Sequence, residues 1–203
     1  DNVVIGYQAM RRATTAADEN IAIGRDSMGG AWGTADVNGC VAIGYDTLSG
    51  TLTSDASGTI AIGIQSGKAI TSGQANTVIG YQAANDLTTG GYNTVLGYQA
   101  LDRATTAALR NVAIGHQAMH GNFTTAAVVD CVAIGVNALE ATLTAGASGT
   151  VAIGSKALVA LTSGAGNVAV GSGSMAAMTT GDYNTAIGHR ALTLNVSGDY
   201  NVA

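Results

Sequence analysis

The sequence predicts an all-β solenoid of short coils, and three observations predict it. The phrase "NTVLGYQAL" at 93–101 returns as "NVVIGYQAM" at 2–10, "NVAIGHQAM" at 111–119 and "NTAIGHRAL" at 184–192. The glycine that closes each apolar triplet recurs at Gly6, Gly24, Gly44, Gly63, Gly80, Gly97, Gly115, Gly135, Gly154, Gly171 and Gly188. A period of 17 to 20 residues is the mark of a solenoid or array. The intervals 18, 20, 19, 17 and 17 then repeat, so the coil is nested in a five-coil unit of 91 residues. Residues 1–91 and 92–182 align without a gap at 46 identical positions, and a third unit begins at 183–203. The chain, 1–203, therefore reads as one repetitive segment rather than two globular domains.

Each coil reads as strand, turn, strand, loop. The three residues before the glycine, such as "VAI" at 41–43 or "TVI" at 77–79, are β-branched or alanine with no helical period, and form a short strand. Its first and third side chains point one way and its second the other, and both faces are apolar. The second position is always Ala or Val, which suggests a close approach between backbones. The glycine permits a tight bend. The four residues after it, "YQAL" or "VNAL", read as a return strand with the last residue inward and Tyr7, Arg25, Tyr98 or His116 outward. Gln65, Gln82, Gln99, Gln117 and Asn137 recur in this stretch, so stacking would make an amide ladder. Asn2, Asn20, Asn76, Asn93, Asn111, Asn167 and Asn184 would make a second ladder at the head of the strand.

Composition narrows the function classes. With 29 glycines, no proline, 10% charged and 4% aromatic residues, the core must be built from small side chains packed closely. A net charge of −5 gives no basic stripe for nucleic acid or an anionic membrane. Apolar runs stop after a few residues, so no membrane-inserting helix is read in this segment, and no signal peptide either. A coil with so thin an interior leaves an apolar face uncovered, which points to chains packed side by side in a cyclic homo-oligomer, most simply a trimer.

The "NVAIG" phrase, with Asn before a small aliphatic triplet and Gly after it, resembles the head repeats of trimeric autotransporter adhesins, the YadA-like head. The longer phrases "NDLTTGGYNTVLGYQAL" and "AAMTTGDYNTAIGHRAL" are similar to repeats of bacteriophage tail fibres. The resemblance implies a left-handed parallel β-roll, three chains abreast as a parallel homotrimer, in an extracellular fibre on a virion or cell surface. It implies a structural segment of a phage tail fibre or cell-surface adhesin that supports host or surface attachment. A glycan-binding adhesin head is the second reading, and a polysaccharide-degrading tailspike the third. The implied partners are further copies of the chain and a host glycan or protein receptor.

Other solenoids fail on spacing. A hexapeptide β-helix needs an aliphatic residue every sixth position, yet Ile43 is followed at that spacing by Ser49 and Asp55. No calcium-binding nonapeptide occurs, and "TLT" appears once per 91 residues, too sparsely for an ice-binding threonine row. Catalytic, cofactor-binding and metal residues are not expected. Asp18, Glu19, Asp55, Asp86, Asp102, Asp130 and Glu140 fall in loops, where they cluster only if loops of adjacent coils converge. His116 and His189 take the outward column, His120 begins a loop, and no carboxylate or second His stands at ligand spacing in the sequence. Trp32 and Phe123, equivalent positions of the long unit, are the candidate surface ligand contacts; the competing reading packs them against a neighbouring coil or subunit. Cys40 and Cys131 are also equivalent, five coils or about 24 Å apart, and are expected to stay free and shielded. The repeat runs into both termini, so the chain is expected to be an excerpt of a longer fibre or to stack end to end.

Overall fold

A computed structural model describes residues 1–13, 17–32, 35–105, 108–123 and 127–203. Eleven strands of three residues each lie in it: β1 (Val3–Ile5), β2 (Ile21–Ile23), β3 (Val41–Ile43), β4 (Ile60–Ile62), β5 (Thr77–Ile79), β6 (Thr94–Leu96), β7 (Val112–Ile114), β8 (Val132–Ile134), β9 (Val151–Ile153), β10 (Val168–Val170) and β11 (Thr185–Ile187). They form one parallel sheet in chain order, and each pairs only with its sequence neighbours. Val3 faces Ile21, Ile21 faces Val41 and Val41 faces Ile60, so the pairing register reproduces the glycine intervals. The fold is thus a parallel β-solenoid with one strand per coil, about 4.8 Å of axial rise per coil. The described residues hold no α-helix, only two matched 3-10 turns at Ser54–Ala56 and Ala145–Ala147. No helix among them is long and apolar enough to cross a membrane.

Residue size decides which way each strand faces. The middle residues of β2 to β11, among them Ala22, Ala42, Ala61, Val78 and Val95, are buried in the coil, where only a small side chain fits; Val4 in β1 is exposed. The curl after the glycine buries a larger column, Met28, Leu48, Leu101, Met119, Leu139 and Leu158, each 0% exposed. The first and third residues point outward and are half-exposed or exposed, with Ile5 at 58% and Leu96 at 45%. Within a single chain the second apolar face of the strand is therefore uncovered.

The expected return strand is not formed. After each glycine the backbone alternates into the left-handed region, at Gln8 (φ 57°) and Met10 (φ 45°), then at Asp26 and Met28, and so on to Arg190 and Leu192. A chain left-handed at every second residue curls around a narrow interior instead of running straight. Left-handed geometry costs a side-chain-bearing residue roughly 1 kcal/mol. Bonds between coils offset that cost: Met10 N–H donates to Ser27 O at 2.9 Å, and Asp26 N–H to Tyr7 O at 2.9 Å. The curl also puts consecutive side chains, such as Thr47 and Leu48, both inside, which a strand would not do.

The recurrent glycine is fixed by two separate constraints. Gly97 has φ 143°, open only to glycine, and a Cβ there would stand 2.4 Å from Gly115 O. The coils stack this closely because no side chain intervenes.

Candidate interaction surface

Two polar ladders run along the solenoid, one inside and one outside. Inside, the Asn that heads seven of the eleven strands accepts from the next coil: Asn20 N–H donates to Asn2 Oδ1 at 2.9 Å, Asn111 N–H to Asn93 Oδ1 at 3.0 Å and Asn184 N–H to Asn167 Oδ1 at 2.9 Å, while Thr59 and Thr150 head β4 and β9. The column continues through Asn201, whose N–H donates to Asn184 Oδ1 at 2.9 Å. Cys40 and Cys131 occupy the same column. Their backbone N–H groups donate to Asn20 and Asn111 Oδ1 at 2.9 Å each, and their thiols to Ala56 O and Ala147 O at 3.4 Å each. Both thiols are free and buried, and burial pushes their pKa up.

Outside, the second residue after each glycine forms the other ladder. Gln82 Nε2 donates to Gln65 Oε1 at 2.9 Å, Gln99 Nε2 to Gln82 Oε1 at 2.9 Å and Gln117 Nε2 to Gln99 Oε1 at 3.1 Å. Every amide in this run points its donor toward lower residue numbers. At that end Gln65 Nε2 reaches the carboxylate of Asp46 at 3.3 Å, itself paired with Lys68 Nζ at 2.9 Å. In the other direction the column passes Asn137 and becomes Lys156, Gly173 and Arg190. Acid thus stands at the donor end of the amide dipoles and base at the acceptor end, the favourable order for aligned dipoles.

Beside this ladder runs the outward aromatic column. Tyr81, Tyr98 and His116 stack with ring centroids 5.2 and 5.1 Å apart and planes within 8° and 6°. Each ring covers its neighbour's face, so the stack presents mainly edges and hydroxyls. Arg25 lies over the Tyr45 ring at 5.5 Å.

Trp32 and Phe123, the sequence candidates for ligand contact, lie in the interior with 2% and 1% of their surface exposed. Their rings pack inside the coil in this single chain and offer no face to solvent. The spatial pairing of His120 with Asp102 was not visible in local sequence spacing. Both are the fifth residue after their glycines, and His120 Nε2 lies 3.7 Å from Asp102 Oδ2. Asp102 is 8% exposed and its Oδ1 has no hydrogen-bond partner. Burial, then the Asp86 charge, push its carboxyl up to about 6, against the opposing pull of Arg103 and the Asn85 backbone N–H. Burial and Arg103 hold His120 below the usual imidazole value. The aligned column, Asn85, Asp102, His120 and Glu140, was the signal that could have found this cluster. The described residues contain no group of three or more His, Cys, Asp or Glu side chains arranged to hold a metal ion.

No protein-family model, curated protein or solved structure matches the chain.

Proposed function

We propose that the chain is a structural segment of an extracellular fibre, a phage tail fibre or cell-surface adhesin, in which copies pack side by side as a parallel homotrimer and support attachment to a host or surface. The observation that carries this reading is the outward face of the sheet. Its positions, two per strand over eleven strands, hold nineteen aliphatic residues and the three threonines Thr77, Thr94 and Thr185, with no charged residue among them. An apolar stripe of this length, far beyond scattered surface residues, is the signature of an interaction face. Its occupant is best supplied by further copies of the chain, because a linear repeat offers the same residues at the same heights to a parallel neighbour. The parallel backbone pairing suits a load-bearing role, since every coil is bonded to the next along the axis.

Immunogold labelling of the particles or cells that produce the chain tests the biological part of this reading. Label on projecting fibres is expected, together with loss of attachment when the segment is deleted; label confined to the interior would overturn it.

A further inference from the structure

We infer that Thr77 and Thr94 are the register key of the side-by-side assembly: their hydroxyls meet their counterparts on neighbouring copies and fix the height at which the chains stand against one another. The inference rests on the homotrimer reading and adds what selects its alignment. The need for a key follows from the repeat. The outward face is aliphatic at nearly every height, so a copy displaced by one coil, about 4.8 Å, would still lay aliphatic rows on aliphatic rows. Apolar contact is non-directional and hardly penalises such a slip.

Placement and bonding single out this pair. The first strand position is Val or Ile in eight of the eleven strands, and Thr77 and Thr94 are the one case of two polar residues there on adjacent strands, partnered directly in the sheet. Thr77 is half-exposed and Thr94 exposed. Elsewhere in the coils threonine hydroxyls bond to backbone carbonyls, Thr59 to Gly73 O at 3.1 Å and Thr162 to Thr179 O at 2.9 Å. The hydroxyls of Thr77 and Thr94 make no hydrogen bond among the described residues, so both are free to bond outside the chain.

A hydroxyl is both donor and acceptor, so three of them around a threefold axis close a ring in which each donates to the next and none is left over. With the copies level, both rungs close. Displaced by one coil, Thr77 of one copy meets Thr94 of its neighbour, while the remaining two hydroxyls face Ile60 and Val112. Displaced by two coils, all four face aliphatic residues. A hydroxyl taken from water without a partner is penalised, which selects the level alignment as one buried polar residue selects register in a coiled coil. The 91-residue unit does not duplicate the key: Thr94 returns as Thr185, but Thr77 returns as Val168.

Light scattering and pulsed EPR on the intact protein test it, with one nitroxide per chain at Asp55→Cys, an exposed position; Cys40 and Cys131 are buried. The parent should give a three-chain mass and a single inter-label distance. Thr77→Val with Thr94→Val keeps the shape of both side chains, and Val already stands at this position as Val112 and Val132, so the variant should fold and keep that mass. Its level-aligned fraction should nevertheless fall at least about two-fold, with longer distances appearing. Moving the key within that variant, by Val132→Thr with Val151→Thr on another adjacent and directly partnered pair, should restore the single distance. A single distance retained by the Val variant, several distances in the parent, or a relocated pair that restores nothing would overturn the inference and leave the homotrimer standing. A parent mass of 20.0 kDa would overturn the homotrimer and the inference with it.

Discussion

Asn93 donates both its backbone N–H and its side-chain Nδ2 to a single oxygen, Asn76 Oδ1, at 3.0 Å each, in the interior of the solenoid. Its own Oδ1 then accepts from Asn111 N–H at 3.0 Å, and its Nδ2 also serves Ala108 O at 2.8 Å. Asn93→Ala strands an N–H and a carbonyl away from water. The expected loss is about 2–4 kcal/mol, set by desolvated groups left unpaired rather than by the bonds themselves. Gln99→Ala breaks the outer ladder where water can replace the lost partners, and should cost about 1 kcal/mol or less. Urea unfolding at one fixed protein concentration compares them; equal losses would show that the inner ladder is not what joins the coils.

Gly97→Ala should be still more damaging. The substitution combines a forbidden backbone angle with a Cβ 2.4 Å from the next coil's carbonyl, and neither can relax without separating coils. A loss of about 3 kcal/mol or more is expected in thermal or urea unfolding. Gly39→Ala is the control: a Cβ there meets nothing within 4 Å, so only the cost of its positive φ remains.

How far such features could be read from the sequence depended on whether they repeat. The glycine spacing predicted the strand register, and the recurring Asn and Gln predicted both ladders, because a side chain stacked on its own kind leaves the same trace in every coil. The return strand was misread for a physical reason: a curl with alternate left-handed residues also sends Tyr98 out and Leu101 in, and only the joint burial of Ala100 and Leu101 separates it from a strand. The proximity of His120 to Asp102 was missed because it joins unlike residues of adjacent coils, legible only when the fifth residues after the glycines are set in one column.

The two cysteines should be unreactive in the folded protein. Both are buried, both thiols donate to carbonyls, and burial disfavours their thiolates. A thiol reagent such as Ellman's should titrate neither in native buffer and both after denaturation. Electrophoresis without reductant, after alkylation, should show single chains; a dominant covalent dimer would contradict the interior placement.

Asp102 makes stability depend on pH in a stated direction. Its folded pKa, about 6, lies above the usual 3.8, so the fold disfavours the carboxylate and this penalty is present above pH 6. It fades as pH falls from 6 toward 4 and is gone below 3.8, where the folded and unfolded chains are both protonated. His120, held below its usual value, acts oppositely and loses stability as pH falls through 6.5 and below. Asp102→Asn should therefore be more stable than the parent at pH 7.5, by up to roughly 2 kcal/mol, with the gap closing near pH 4. An unchanged gap across that range would mean that the buried carboxylate is not the source.

The central claim, that the outward sheet face is covered by two further copies, is tested most directly by the mass of the folded protein in solution. Light scattering behind size exclusion should give about three times the 20.0 kDa chain mass. Ile62→Glu with Ile114→Glu, both on that face, should break the assembly into smaller species. A folded, soluble and monodisperse species of 20.0 kDa from the unsubstituted chain would contradict the account.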